Sequence, residues 1–407
     1  MKNDKHINRR DIIIVGQQPW DISIGSNCKN IAREWSKNNR VLYVNSPLDR
    51  ISKYRGKGNP KIAKRISIVN GHEPGLIQIK ENLWNLYPDE IIESINWIKP
   101  QAIFEYFNSI NNKKFSNSIL KAIRDLDFKK FILFNDNDMF RSFHLKSLLK
   151  PAVSIYYSRD FMLAVDYWKL HGTKLEPELI ANSDICVANS TYLADYCREY
   201  NPYSFYVGQG CELEIFINSD GNEIPSDIMP IMSPIIGYVG ALQSIRLDIN
   251  ILIHIAIQRP DWSLVLIGPE DDEFRSSELH NISNVFFLGS KDSDKLPAYI
   301  NEFDICINPQ IINQVTIGNY PRKIDEYLAV GKPVVATKTD GMNIFKDFCY
   351  LAENKEEFVS MIDDGLKNDS IELKMSRRNF ASTHTWENCV LEIDNAISKW
   401  ETNHLHL

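Results

Sequence analysis

The sequence holds no run of about 18 consecutive apolar residues, and so predicts no membrane-spanning helix. Its first stretch, MKNDKHINRRDIIIVG, lacks the apolar h-region of a secretory signal. Low-complexity tracts and internal repeats are absent, which excludes a disordered tail and a repeat array. Basic excess is absent as well: a net charge of -7 argues against a general nucleic-acid binder. No CxxC occurs among the seven cysteines (Cys28, Cys186, Cys197, Cys211, Cys306, Cys349 and Cys389). Their odd number and wide spacing fit reduced thiols in a cytoplasmic protein, not a disulfide framework or a zinc site. Cys186 and Cys306 lie in strand-like apolar runs, where cysteine acts as a small hydrophobe.

What is present is a chain of 407 residues, too long for one ordinary core, with the 43% hydrophobic and 24% charged content of soluble globular proteins. Short β-branched runs alternate with helical stretches. The runs are Ile12–Val15, Val41–Val44, Phe131–Phe134, Val153–Tyr157 and Ile185–Ala188, then Ile235–Val239, Leu264–Ile267, Val285–Leu288, Ile305–Ile307 and Val334–Ala336. Strands this short and apolar are buried on both faces, as in parallel sheets covered by helices. Between them Asn27–Lys37, Thr191–Glu199, Ile249–Gln258, Lys295–Glu302 and Arg322–Val330 read as helices, which implies βαβ units and an α/β fold. Residues Asn218 to Pro234 (NSDGNEIPSDIMPIMSP) have linker composition. The expectation is therefore two doubly wound, Rossmann-like domains, 1–217 and 233–385, facing a cleft that holds the ligands. A helical stripe through Trp386, Val390, Ile393, Ala396 and Ile397 makes 386–407 a cross-over helix that packs back on the first domain.

Two segments carry chemistry. In Ile235 to Asp248 (IIGYVGALQSIRLD) a strand ends at Gly240 and a helix starts near Asp248, a geometry that brings backbone N–H groups close to an anion. Arg246 would add a charge-assisted bond to a diphosphate. No GxGxxG or GxxxxGK[ST] is present there, so on spacing alone a plain turn at Gly240 and a solvated Arg246 fit equally well. In Asn319 to Thr337 (NYPRKIDEYLAVGKPVVAT), Pro321 suits a helix start and Gly331 with Pro333 a helix stop. Ile324, Tyr327 and Leu328 form its apolar stripe, and Lys323 and Glu326 share another face. Lysine near a helix N-terminus suits a phosphate, and a carboxylate one turn on can accept both ribose hydroxyls. The alternative is an Arg322–Glu326 surface pair, worth a few tenths of a kcal/mol.

These two segments, in this order, resemble the donor half of GT-B-fold glycosyltransferases of the family 4 type, in particular bacterial teichuronic-acid and capsule-type transferases. The similarity continues elsewhere: Gly16 to Asn27 (GQQPWDISIGSN) resembles the first-strand loop of the acceptor domain, ANSTYL at Ala188–Leu193 and YVGQGCELEIF at Tyr206–Phe216 resemble signatures near the domain junction, and Thr385-Trp386-Glu387 resembles the start of the cross-over helix. The resemblance implies a hexosyltransferase of bacterial surface-polysaccharide synthesis that retains anomeric configuration. Its donor is a nucleoside diphosphate sugar held by Gly16, Gly240, Arg246, Lys323 and Glu326, and its acceptor is a saccharide or polyprenyl-linked saccharide. It also implies that neither cofactor nor metal is needed, because a helix dipole and basic side chains hold the diphosphate. Many relatives carry two glutamates separated by seven residues. Glu326 matches the second, whereas Gly318 stands at the first.

Asp160, at the end of Ile155–Asp160 (IYYSRD), is the candidate to orient or deprotonate the acceptor hydroxyl, a helix N-cap being the alternative. His171 and Glu176 read as structural, and Asp136 and Asp138 as strand-end caps rather than metal ligands. The stretch Arg50 to Arg65 (RISKYRGKGNPKIAKR) holds seven basic and no acidic residues, and would place a cytoplasmic chain peripherally on anionic lipid at the inner membrane face. A mobile solvated loop is the alternative. A sugar-nucleotide epimerase and a non-catalytic subunit remain rivals, while a nicotinamide oxidoreductase lacks its Gly-rich fingerprint after Ile12–Val15.

Overall fold

The structure, a computed structural model, describes residues 6–22, 25–56, 58–221 and 223–404. Ser23 and Ile24 of the first-strand loop and Lys57 of the basic stretch lie outside the described residues. Contacts divide the chain into unit 1, Met1–Gly208 with Trp386–Leu407, and unit 2, Gln209–Thr385.

Unit 1 runs β1 (Asp11–Val15), α1 (Asn27–Trp35), β2 (Arg40–Val44), β3 (Leu48–Asp49), α2 (Arg50–Arg55), α3 (Pro60–Val69), β4 (Leu76–Lys80), β5 (Leu83–Leu86), β6 (Ile91–Ile92), α4 (Gln101–Asp125), β7 (Ile132–Asp136), α5 (Leu145–Leu149), β8 (Val153–Ser158), α6 (Asp166–Asn182), β9 (Ile185–Ala188), α7 (Thr191–Arg198) and β10 (Ser204–Tyr206). Its sheet has the order β10-β9-β8-β7-β1-β2-β5-β4, parallel except for β4 on β5. The chain leaves β1 toward β2 on one side and later fills β7 to β10 on the other, so the order reverses at β1 and β7. Ligands of such sheets bind at that reversal, beyond the carboxyl ends of the strands.

Alternation along β1 and β2 sends Ile12, Ile14, Val41 and Tyr43 to one face and Ile13, Val15, Leu42 and Val44 to the other. The first face is covered by α1 and by the last helix, the second by α4. That last helix is buried through Trp386, Val390, Ile393, Ala396 and Ile397, the stripe expected from the sequence. Asp394 on it accepts from the buried Trp35 Nε1 at 2.8 Å and from Ile7 N at 3.2 Å, and lies 3.0 Å from His6 Nδ1. Burial lifts its carboxyl to about 6, against the pull of Trp35 and His6.

Unit 2 runs α8 (Glu214–Ile217), β11 (Ile235–Val239), α9 (Ile249–Gln258), β12 (Ser263–Ile267), α10 (Asp272–Arg275), β13 (Val285–Gly289), α11 (Leu296–Glu302), β14 (Ile305–Asn308), α12 (Arg322–Val330), β15 (Val334–Thr337), β16 (Tyr350–Ala352), α13 (Lys355–Asn368) and α14 (Ile371–Ala381), and the chain then returns to unit 1 as α15 (Trp386–His404). Its parallel sheet is ordered β13-β12-β11-β14-β15-β16, reversing between β11 and β14. The α/β reading, with two doubly wound domains, is thus the observed architecture.

The passage from unit 1 to unit 2 falls at Gly208, ahead of the Pro-rich stretch expected to be the linker. Parts of that stretch are tied to unit 2, although most of its side chains are exposed. Ser219 and Ile228 are buried, Asp220 takes both terminal nitrogens of Arg378 at 2.7 Å, and Asp227 accepts from Tyr299 Oη at 2.8 Å and pairs with Lys291 at 2.6 Å. Its composition marks irregular backbone, and Ser219, Asp220, Asp227 and Ile228 anchor it at points. Among the described residues no helix is long and apolar enough to cross a membrane.

Candidate functional site

In unit 2 the site grows from the end of β11. Its alternation buries Tyr238 and Val239, and the chain then breaks at Gly240 with φ +141°, a left-handed value that disfavours a side chain. A Cβ at Gly240 would also lie 2.8 Å from Lys323 Nζ and 3.0 Å from Tyr238 Oη. The loop that follows is tethered on the far side: Ser244 N and Oγ donate to Asp271 at 2.8 and 2.9 Å, and Leu242 N donates to Pro269 O at 2.8 Å.

Helix α12 is set against this loop by its own periodicity. Tyr327, fully buried, accepts from Val239 N at 2.8 Å and so registers the helix on the last residue of β11. Lys323, expected on a face apart from the apolar stripe, lies instead one turn before Tyr327 on the same face, because Tyr238 offers its ammonium a ring at 4.0 Å and a hydroxyl to which it donates. Gly331 ends the helix at φ +91°, as expected of a left-handed C-cap. No side chain caps its N-terminus at Pro321.

Gly240, Arg246, Lys323 and Glu326 line one pocket of about 400 Å³, with Asn308, Gln310 and Tyr320. Four of the proposed donor contacts therefore come together. The pocket is electrostatically incomplete. Burial lowers Lys323 to about 7; Glu326 raises it and Arg246 lowers it further. Burial also pushes the Glu326 carboxyl up, with Arg322 and Lys323 pulling it back. Glu326 faces Arg322 at 3.7 Å, so the surface pair also exists, at a length that leaves the carboxylate available. Arg246 has no side-chain ion pair among the described residues. An anion placed among Arg246, Lys323 and the Gly240 backbone would relieve the repulsion between the two cations.

Gly16 and Asp160 belong to unit 1, where they sit by the sheet reversal. Gly16 is needed for packing: a Cβ there would lie 2.0 Å from the Tyr43 hydroxyl, which donates to Gln18 O at 2.6 Å. Beside it Asp136 is buried, accepts from Gln17 N at 3.1 Å and holds Arg159 Nε at 2.7 Å. Arg159 then reaches Asp160 with Nη1 at 2.6 Å. Asn137 Oδ1 accepts from the backbone N–H of both Arg159 and Asp160, at 3.0 and 3.2 Å. Asp160 is thus the outer end of a fixed Asp–Arg–Asp chain, and it is not the cap of α6, whose N-cap is Val165. Asp138 caps the following turn through Phe140 N and Arg141 N. His171 is buried and stacked on Phe104 at 3.7 Å. Glu176 is buried, lifted by that burial to about 7, and accepts from Tyr156 Oη at 2.6 Å.

Sequence reasoning missed Tyr238, Asn308 and Asp325. Tyr238 forms the floor under Lys323, and its place directly before Val239-Gly240 was the available signal. Asn308, at the end of β14, is buried with an unpartnered Nδ2 beside the pocket. Asp325 is fully buried behind Glu326 and gathers Tyr320 Oη at 2.7 Å, His384 Nδ1 at 2.5 Å and Cys211 Sγ at 3.3 Å. Nothing in the local sequence distinguishes it from a surface carboxylate.

The chain is similar to several known proteins. Residues 233–368 match the family model of glycosyl transferases group 1. Over 191 residues the chain is 28% identical to TuaH of Bacillus subtilis (strain 168), named for glycosyl transfer in teichuronic acid biosynthesis; the match covers 45% of this chain and 48% of that protein, about half its length. Among solved structures, sucrose-phosphate synthase from Thermosynechococcus elongatus superposes with a TM-score of 0.66 at 15% identity, covering 97% of this chain and 100% of that one. Anabaena HepE in complex with UDP gives 0.61 at 13%, covering 96% and 100%. The fold is that of GT-B glycosyltransferases, and the resemblance drawn from the two motifs is borne out.

Because its ammonium is buried against Tyr238 and near Arg246, Lys323 of the ligand-free chain should titrate near pH 7. The unfolded chain would still hold that proton above pH 7, so the shift makes the fold gain stability as pH rises from there toward the ordinary lysine value. Competitive acylation across pH, read by mass spectrometry, checks the midpoint; an ordinary lysine midpoint would contradict the burial argument.

Proposed function

We propose that this chain is a glycosyltransferase that moves a sugar from a nucleoside diphosphate donor, bound in unit 2, to a saccharide acceptor taken by unit 1, in the synthesis of a surface polysaccharide. The observation that carries the reading is the pocket at Gly240, in which Arg246 and Lys323 converge beside a backbone that admits no side chain. In this reading the diphosphate lies on the Gly240 loop between the two cations, and the Glu326 carboxylate accepts the ribose hydroxyls. Charge that develops on the leaving diphosphate is stabilised by Arg246, by Lys323 and by the uncapped start of α12. The name of TuaH supports a polysaccharide setting, and the UDP complex of HepE supports a uridine nucleotide as the first donor to test.

Asp160 orients the acceptor hydroxyl. Its tie to Arg159, and through it to buried Asp136, fixes the carboxylate in one place. Retention of anomeric configuration is carried over from the family resemblance. Gly318, where many relatives have a glutamate, leaves the sugar to be held by other groups.

The acceptor is lipid-linked in the finer form of this proposal, with the basic stretch resting on anionic lipid. Arg50 is paired with Glu93 at 2.5 Å and Arg65 with Asp21 at 3.6 Å, so the attraction rests on Lys53, Arg55, Lys61 and Lys64, besides Lys57 outside the described residues. Each such charge contributes about 1 kcal/mol near the surface.

Incubation with labelled UDP-, GDP-, dTDP- and CMP-sugars should give protection by one nucleotide class in thermal shift and transfer that requires an acceptor. Lys323→Met and Glu326→Ala should each weaken donor binding by about tenfold or more, equivalent to about 1.4 kcal/mol, measured by calorimetry. Conversion of the nucleotide sugar without acceptor would establish the epimerase instead, and unchanged affinity in both variants would remove the site. Sedimentation with anionic vesicles should retain the native chain and release the Lys53, Arg55 and Lys57 triple neutral variant; equal retention of both would end the membrane proposal.

A further inference from the structure

Unit 1 has a hollow of about 460 Å³, which the basic stretch touches only through Ile51. It is built from segments that follow the carboxyl ends of β2, β5, β7 and β8, the same edge of the sheet that carries Gly16 and Asp160, and the edge on which such sheets bind ligands. Its rim is aromatic. Trp97 is 73% exposed and Tyr167 58% exposed, a costly arrangement for rings of this size unless something covers them. Both are held in fixed attitudes: Trp97 Nε1 donates to Ser94 O at 2.8 Å, and Tyr167 stands edge-on to Trp168 at 5.1 Å and 86°. Trp168 in turn leans on Phe140 at 5.0 Å.

The polar part of the lining is acidic. Asp49 is held by the hydroxyls of Ser52 and Ser94, at 2.5 Å each, and by Ser52 N at 3.0 Å, with no cation paired to it among the described residues. Glu93 is neutralised by Arg50 and Arg141 by Asp138, which leaves Asp49 and Asp166 as net negative charge. An acidic hollow rejects nucleotide phosphates, anionic lipid headgroups and acidic sugars. Exposed, immobilised aromatic faces next to carboxylate acceptors match one chemistry well: a pyranose offers an apolar C–H face to the rings and hydroxyl donors to the carboxylates.

We propose that this hollow is an acceptor subsite for an uncharged pyranose, stacked on Trp97 and Tyr167 with a hydroxyl donated to Asp166, and selective against uronic acids. The proposal rests on the reading that unit 1 takes a saccharide acceptor. It goes beyond that reading by naming the residues and the charge class.

The test uses the full chain and a panel of neutral hexose and N-acetylhexosamine oligosaccharides, with oligogalacturonates of equal length, followed by saturation-transfer NMR and tryptophan fluorescence. Neutral members of the panel should bind, Trp97→Ala and Tyr167→Ala should each weaken them at least tenfold, and Trp97→Phe should restore most of the loss. Uronates should bind at least tenfold more weakly, and Asp166→Asn should narrow that gap. Nucleotide-sugar binding serves as the control, unchanged in every variant. If a nucleotide sugar binds but no neutral saccharide does, if uronates bind as well as neutral sugars, or if Trp97 instead governs binding to neutral lipid vesicles, the subsite is overturned. If neutral sugars bind through Trp97 while no nucleotide sugar binds, the subsite stands and the transferase reading falls.

Discussion

One contact organises unit 2: the Lys323 ammonium lodged against Tyr238 beside Gly240, where a side chain has no room. A half-buried cation without a full counter-charge is unfavourable, and the fold sustains it by over-determining its position. Tyr327 fixes α12 to the end of β11, Gly240 leaves the space, and the Asp271 tether keeps the loop from relaxing away. The strain is electrostatic rather than steric, and it is of the kind that an incoming diphosphate removes. The Glu326 carboxyl is raised by burial too, and Arg322 and Lys323 hold it back.

Unit 1 handles charge differently. Its buried Asp136 is fully matched by Arg159, and burial, which works against the arginine's charge, is outweighed by Asp136 and Asp160 together. Its charges are thus matched within unit 1 itself. The cross-over helix α15 belongs to this unit, since its apolar stripe completes the core over α1 and β1.

Much of this was legible in the sequence because parallel strands buried on both faces are short apolar runs with few alternatives. Each of the ten expected runs is a strand, and α12 spans Arg322–Val330 as its Pro and Gly boundaries indicate. The edge strands β4 and β10 were missed because their exposed or short segments carry no such signal. Helix α4 was missed because its buried face is rich in asparagine and serine (Asn108, Asn111, Asn112, Ser116), which breaks the apolar stripe. The linker was misplaced because proline and acidic residues mark irregular backbone whether or not it is anchored, and Arg378 and Tyr299, which anchor it, are remote in sequence. At the site, Lys323 and Glu326 were reached from helical spacing, but that Lys323 sits on Tyr238 required the register between β11 and α12, which is tertiary. Gly16 was singled out by position in a motif, yet what demands a glycine there is the Tyr43 hydroxyl.

Burial lowers the Lys323 ammonium to about 7, and a bound nucleoside diphosphate should restore its proton. Calorimetry of the bound nucleotide class at pH 8, repeated in buffers of different ionisation enthalpy, measures the protons exchanged on binding. The account predicts uptake of close to one proton by the native chain, which Lys323→Met abolishes. Tight binding by the native chain with no proton uptake would contradict it.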